Sequence, residues 1–243
     1  MSNPYRITEP FALSFSGGRT SGFLLYETLQ AYGGTMPSGG KVIFENTGKE
    51  REETLRFVER CSLEWGVEIT WLEYRYEPGK PHLVEVNFAS ASRKGEPFEA
   101  SIEARSGGYL PNQVERYCTL EMKMRTLNRY ARHHLGWEKY TNIVGLRADE
   151  VRRVAKAKRN AFLDVQLELF DSGKKSKSKV KNRRPTGESV EFPLFDAGVT
   201  LDDVMRFWAK SQFDLELNQD EGNCDSASDL AGCLIFTQNT VAI

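Results

Sequence analysis

The stretch Phe11-Ala-Leu-Ser-Phe-Ser16-Gly17-Gly18-Arg19-Thr20-Ser21-Gly22 is an apolar run that empties into small and hydroxylated residues and then opens a helix. Two glycines let the backbone come close to a ligand. The free N–H groups of the next helix, at its positive dipole end, favour an anion without any basic side chain. Ser16, Thr20 and Ser21 add hydroxyls that reach the same oxygens. This reads as a phosphate-binding turn, although a run of serines and glycines after a strand also serves as a plain turn. The remainder of the chain has to decide between the two.

Two better-known phosphate loops are excluded. No G-x-G-x-x-G dinucleotide pattern occurs, and no G-x-x-x-x-G-K-S/T, including at Gly39-Gly40-Lys41, where Val42 follows the lysine. What stands is S-G-G-x-x-S after a strand. Four further segments follow in order: Lys41-Val-Ile-Phe-Glu-Asn-Thr47-Gly48 leading into Lys49-Glu-Arg-Glu52-Glu53-Thr54; Arg116-Tyr117-Cys118-Thr-Leu-Glu-Met-Lys123; Ile143-Val-Gly145-Leu-Arg147-Ala-Asp149-Glu150-Val-Arg152-Arg153; and Phe192-Pro-Leu-Phe-Asp196 with Thr200-Leu-Asp-Asp203-Val. From about Phe11 to Cys224 the chain resembles the phosphoadenosine phosphosulfate (PAPS) reductase-like family of the PP-loop ATP pyrophosphatase, or adenine nucleotide alpha hydrolase, superfamily.

The resemblance implies an α/β fold with a doubly wound, mainly parallel sheet and helices on both faces. It implies ATP or an adenylyl sulfonucleotide as ligand, with Mg2+ on its phosphates. The nucleotide-binding residues are then Ser16, Gly17, Gly18, Arg19, Thr20 and Ser21, with Thr47 and Gly48 packed against the adenosine. Arg147, which directly follows a strand end, and after it Lys123 are the cations for charge that builds on phosphate or sulfate oxygens, because such planar or point charges suit those oxygens. Glu150 is read either as orienting that arginine or a metal or as an ordinary helix-start acid, and Glu52 and Glu53 are left ambiguous, stabilisation of the helix dipole sufficing to explain at least one of them.

Two departures from the family stand out. Thr20 takes the place of an aspartate that commonly precedes the last serine, which bears on magnesium positioning. The C-terminal Glu-Cys-Gly of the reductases is missing; Gly222-Asn223-Cys224-Asp225 resembles a Gly-Asn-Cys-Asp-x-Cys ending of some relatives, but Ser226 follows and the next cysteine is Cys233. The resemblance allows Cys118, Cys224 and Cys233 as three ligands of an iron–sulfur cluster with one iron open, without support from any C-x-x-C spacing. Cys61 lies on an apolar helix face and reads as core. His82, His133 and His134 form no metal spacing.

Three functions follow as expectations. One is adenylation or sulfur transfer, with a nucleic-acid base among the acceptors and Cys224 in a catalytic role. Another is a sulfonucleotide reductase using Cys224 or Cys233 as nucleophile. The third is a nucleotide-binding regulator without catalysis.

Composition sets the outer bounds. The 243 residues suit one sizeable α/β core, with 40% hydrophobic and 28% charged residues. The expected division is a nucleotide-binding domain over 1–215, with an irregular insertion at 77–112 and a basic, mobile loop at 171–189, then a tail over 216–243 holding Cys224 and Cys233. No apolar run reaches membrane-span length and no hydrophobic leader opens the chain, so a cytoplasmic protein without a membrane partner is expected. Four cysteines in that setting read as core residues or ligands rather than disulfides. Oligomeric state is left open.

Net charge is only −1, yet residues 116–184 hold 19 Lys+Arg against 7 Asp+Glu, leaving 14 against 27 elsewhere. A basic middle of this kind attracts a polyanion such as tRNA or DNA, or the phosphates of a nucleotide; solvated basic helix faces produce the same pattern.

Strand and helix alternate along the chain. Strands are expected to end near Ser16 and to cover Val42 to Glu45, Glu68 to Tyr74 and, as the fourth, Tyr140 to Leu146. Helices are expected from Thr20 to about Tyr32, Arg51 to Trp65, Leu120 to His134 and Asp149 to about Lys158. The resemblance implies a Pro-Leu strand at 192–196, and Thr200 and Asp203 read as the cap of a following helix with Leu201, Val204 and Trp208 inward. In such parallel sheets ligands sit beyond the carboxyl ends of the strands, where the Ser-Gly-Gly and Thr47-Gly48 turns both fall.

Overall fold

The structure, a computed structural model, describes residues 3–77, 82–104, 118–159, 187–218, 221 and 223. Six strands form one sheet: β1 (Phe11–Ser14), β2 (Gly40–Asn46), β3 (Ile69–Tyr74), β4 (Leu83–Val86), β5 (Tyr140–Val144) and β6 (Glu188–Glu191). Their order is β4-β3-β2-β1-β5-β6, and every pair is parallel except β3 with β4. The fold is therefore α/β, with a mainly parallel sheet. β1 is central: Phe11 aligns with Gly40 on one side and with Thr141 on the other.

The alternation along β1 and β2 explains the two layers. Phe11 and Leu13, with Val42 and Phe44, point into a large core under α1 (Arg19–Ala31), α2 (Glu52–Trp65) and, near the chain's other end, the helix Leu201–Trp208. Ala12 and Ile43 point the other way, onto Leu127, Tyr130 and Ala131 of the helix Arg125–His133. Helices thus cover both faces, as a doubly wound sheet requires.

Between these lie α3 (Glu96–Glu103), a π-helical turn Cys118–Met124 leading into α4 (Arg125–His133), a 3-10 turn Ala148–Glu150 leading into α5 (151–159), α6 (Pro193–Asp196) and α7 (Leu201–Trp208). Val154 of α5 packs with Leu146 and Phe192 in a third, small cluster. Among the described residues no helix is long and apolar enough to cross a membrane.

Several expectations need correction. The stretch 77–112 is not wholly irregular: it contains β4, an antiparallel edge strand, and α3, so Tyr140–Val144 is the fifth strand and not the fourth. Prolines hid a period that β3 imposes by register, Tyr74 facing Leu83. Glu188 and Ser189, placed at the end of the basic loop, begin β6. The Pro-Leu segment is a short helix, since Pro193 occupies its first turn and the preceding residues make the strand instead. The Thr200 cap forms as read, Thr200 N and Oγ1 both donating to Asp203 Oδ2, yet Leu201 is 41% exposed while Val204 and Trp208 are buried.

Candidate functional site

The order of strands reverses between β1 and β5: the chain winds outward from β1 to β4 and returns to β5 on β1's other side. Crevices at such reversals, beyond the carboxyl ends, are where open α/β sheets hold ligands. The Ser16–Ser21 turn leaves β1 at this point. Gly145 and Arg147 leave β5 beside it, and a Cβ built on Gly145 would lie 3.5 Å from Ser21 Cα and from Thr20 Cγ2.

The turn is organised around one hydroxyl. Ser21 Oγ accepts from Ser16 N at 3.2 Å, Gly18 N at 3.2 Å and Ser16 Oγ at 3.1 Å, and donates to Gly18 O at 2.9 Å. The amides of Ser16 and Gly18 are thus engaged within the turn. Those left for an anion are the first-turn amides of α1, which by helix geometry have no intrahelical acceptor. Gly17 sits at φ +72°, and a Cβ there would meet Thr54 Cγ2 at 2.5 Å, so the turn is pressed down onto α2. Ser16, Gly17, Gly18, Thr20 and Ser21 come together as one shell.

Arg19 belongs to this shell through its main chain only. Its guanidinium donates to both carboxylate oxygens of Asp214, at 2.8 and 2.9 Å, and to the carbonyls of Leu215 and Leu217. Its own carbonyl accepts from Trp208 Nε1 at 2.9 Å. The side chain therefore ties a distant segment to the start of α1.

Arg147 stands across the crevice. Its Nη1 donates to Thr20 Oγ1 at 3.0 Å, and Nε and Nη2 hold Asp149 at 3.0 and 3.1 Å. Glu150 accepts from the Arg147 amide at 3.0 Å and lies 3.5 Å from Nη1. The hydrogen bond from Arg147 keeps the Asp149 carboxyl below its ordinary range. Glu150 is thus a partner of the arginine and also pairs with Arg153.

The Thr47-Gly48 turn ends β2 in the same row of strand ends. Thr47 N and Oγ1 donate to the buried Glu50 carboxylate at 2.7 and 2.9 Å, and Gly48 N donates to Asn46 Oδ1 at 3.1 Å. A Cβ on Gly48 would lie 2.9 Å from Pro97 Cδ and 3.0 Å from Gly95 Cα, so this glycine packs under the start of α3. Lys123 Nζ lies 3.7 Å from Glu50 Oε1. Lys123 and Thr47 share a carboxylate; Glu50 itself was passed over in the sequence, where only its neighbours Glu52 and Glu53 drew notice.

Beside Lys123 stands another carboxylate that the sequence did not single out. Burial pushes the Glu45 carboxyl up to about 8, against the lowering effect of Lys123. Its position in an alternating strand gave no sign of chemistry.

A further participant is Asn223. Its carbonyl accepts from Arg51 N at 3.1 Å and Thr54 Oγ1 at 3.0 Å, its amide Nδ2 reaches toward Ser16 O at 3.5 Å, and a Cβ on Gly18 would lie 2.5 Å from that Nδ2. Asn223 thus covers the turn at the start of α2. The Cys118 side chain, Cys224 and Cys233, and with them the iron–sulfur ligand set, lie outside the described residues, as does the basic stretch up to 186. Among the described residues no group of three or more His, Cys, Asp or Glu forms a metal site. Cys61 is fully buried in the large core, and burial raises its thiol far above the ordinary range.

No family model matches the chain. It is 26% identical over 220 residues to a phage lambda protein, the uncharacterized nin region protein ORF290, a similarity that takes in 87% of this chain and 63% of that one. The chain thus spans less than two thirds of that relative's length. Among solved structures it is similar to the U34-tRNA thiolase NcsA from Methanococcus maripaludis with its 4Fe-4S cluster, at 16% identity and a TM-score of 0.46, covering 97% of this chain and 67% of that chain.

Proposed function

We propose that the chain is a PP-loop protein of the PAPS reductase-like kind, which binds ATP or an adenylyl sulfonucleotide and supports adenylation or sulfur transfer. The observation that carries this reading is the place of the Ser16–Ser21 turn: at the carboxyl end of the central strand, at the reversal of strand order, with Thr20 hydrogen-bonded to Arg147.

In this reading the first-turn amides of α1 and the α1 dipole hold the phosphate or sulfate oxygens. Arg147 exchanges its exposed partner Asp149 for the charge that builds there, while Thr20 and Glu150 keep its plane oriented. For adenylation, an acceptor oxygen attacks the α-phosphorus, the bond to the pyrophosphate oxygen breaks, pyrophosphate leaves and the acceptor's proton passes to solvent. Arg147 faces that charge from beyond the end of β5, and the Lys123–Glu50 pair, just past the end of β2, is the second source of charge. Thr47 and Gly48, whose amides are taken by Glu50 and Asn46, have their carbonyl oxygens to offer the adenosine.

Cys118, Cys224 and Cys233 offer three thiolates, a donor set whose chemistry fits an iron–sulfur cluster with one iron open. Such a cluster, when bound, would supply an open iron site for sulfur chemistry. Iron content after anaerobic purification checks it.

Calorimetric titration with ATP tests the reading. Saturable binding is expected, and Arg147→Met should weaken it about tenfold, the loss of one charge-assisted hydrogen bond. A flat titration of the unaltered protein overturns the proposal. Pyrophosphate release with and without an acceptor then separates an enzyme from a regulator that only binds.

A further inference from the structure

Helix α5 reads Val151-Arg-Arg-Val-Ala-Lys-Ala-Lys-Arg159, five cations without one acid. Its inner face is fixed by Val154, buried with Leu146 and Phe192, and by the partly buried Ala157. At about 3.6 residues per turn, Arg152, Lys156 and Arg159 fall together on the opposite face, and all three are exposed. The other two cations are engaged: Arg153 with Glu150, and Lys158 with Asp196 at 3.8 Å and over the Phe195 ring at 5.1 Å. Among the described residues, no ion pair or hydrogen bond joins Arg152, Lys156 or Arg159 to a partner.

This arrangement works against the helix. Arg152 and Lys156 are like charges four residues apart, and two arginines stand in a first turn whose dipole disfavours cations. A face that served only solubility would carry both signs. The three charges span about 10 Å along the axis, the reach of about three phosphates of one nucleic-acid strand. The helix also begins four residues after Arg147, at the crevice.

We propose that the outer face of α5 binds the phosphate backbone of a nucleic-acid strand and so brings a base of that strand to the Arg147 crevice. This rests on the adenylation or sulfur-transfer reading for what happens to the base, but the backbone contact stands on the helix itself. The contact is electrostatic and sequence-independent, and it serves RNA and DNA alike.

The test is binding of a fluorescently labelled single-stranded RNA, and of the same strand as DNA, to the full chain and to Arg152→Gln/Lys156→Gln/Arg159→Gln over a range of salt. Glutamine keeps helix propensity and removes the repulsion, so the variant should melt no lower than the unaltered protein. Three lost contacts to a single strand lower the slope of log K against log salt by about 2, which makes the variant about 100-fold weaker at 0.1 M salt, with the two curves meeting near 1 M. ATP binding should be unchanged, so failure here and failure of the nucleotide site are separable. An equal slope and affinity in the variant overturns the proposal. So does loss confined to Lys174→Gln/Lys175→Gln/Lys177→Gln, or binding to anionic lipid vesicles that neither strand displaces. Preference for RNA over DNA, with the slope change intact, supports it and identifies the source.

Discussion

Replacing Gly17 by alanine tests whether the Ser16–Ser21 turn is held by crowding from below. The new methyl enters at φ +72°, a conformation that costs a residue with a Cβ about 1–2 kcal/mol. It also arrives 2.5 Å from Thr54 Cγ2, with Val58 Cγ2 at 3.2 Å and Phe44 Cε2 at 3.3 Å, on a buried surface where overpacking costs about 1–3 kcal/mol. The expected loss is therefore about 2–5 kcal/mol, a large share of the about 5–15 kcal/mol of a typical domain. Thr54→Ser removes the methyl that is struck, keeps the hydroxyl that donates to Asn223 O, and alone costs about 1 kcal/mol. Combined, Gly17→Ala/Thr54→Ser should be more stable than the two single losses added together, by about 1–2 kcal/mol, the share of the overpacking due to the Thr54 methyl, while the contacts with Val58 and Phe44 and the backbone cost remain. Urea unfolding of the four proteins, with a common m-value, reads this coupling directly. Losses that add to within about 0.5 kcal/mol would show that the methyl contact is not what excludes a side chain at Gly17.

Two further outcomes follow from single contacts. Glu45 has its proton held more tightly in the folded chain than in the unfolded one, by burial and by Glu188 and Glu50 against Lys123, so its contribution is retained below about pH 4.5 and is lost as pH rises toward about 8. Glu45→Gln should therefore stabilise the chain in urea melts at pH 8.5 and leave it nearly unchanged at pH 4.5; an equal gain at both would exclude the titration. Arg19→Met removes the donors that hold Asp214 and two carbonyls, which should cost about 1–3 kcal/mol and speed protease cleavage between 209 and 223 while α1 stays intact. Unaltered cleavage there would mean that the segment is anchored by other contacts.

The parts legible in the sequence are those whose cause is local. The order of β1, α1, β2, α2 and β3 follows from runs whose period is carried by neighbours, and the Thr200 cap from residues three apart. Glycines closed α1 and α2 where expected. What escaped notice depends on partners far along the chain. β4 has only four residues, and only the register of β3 makes it a strand. α3 carried a readable signal, Pro97 in its first turn, but the surrounding prolines suggested irregularity. Arg19 reads as an anion ligand because it stands inside the turn; its partner is 195 residues away, and no spacing announces it. Leu201 shows the converse error, an apolar residue at an inward period whose helix is too short to bury it.

The turn is held from every side before any ligand arrives. Ser21 Oγ closes it from within, Thr54 and Val58 support it from below, Asn223 covers it, and Trp208 and the Arg19 clamp fix the start of α1. Donors ordered in advance need not be ordered on binding, which raises affinity without added charge. Charge is in fact scarce there, since Asp149 and Glu150 both face Arg147. A nucleotide gripped by oriented amides should respond weakly to salt, whereas a strand held by the exposed cations of α5 should respond steeply. The two binding events are thus separable in one protein by ionic strength alone. If ATP affinity fell with salt as steeply as strand affinity, the amides would not be the main grip on the nucleotide.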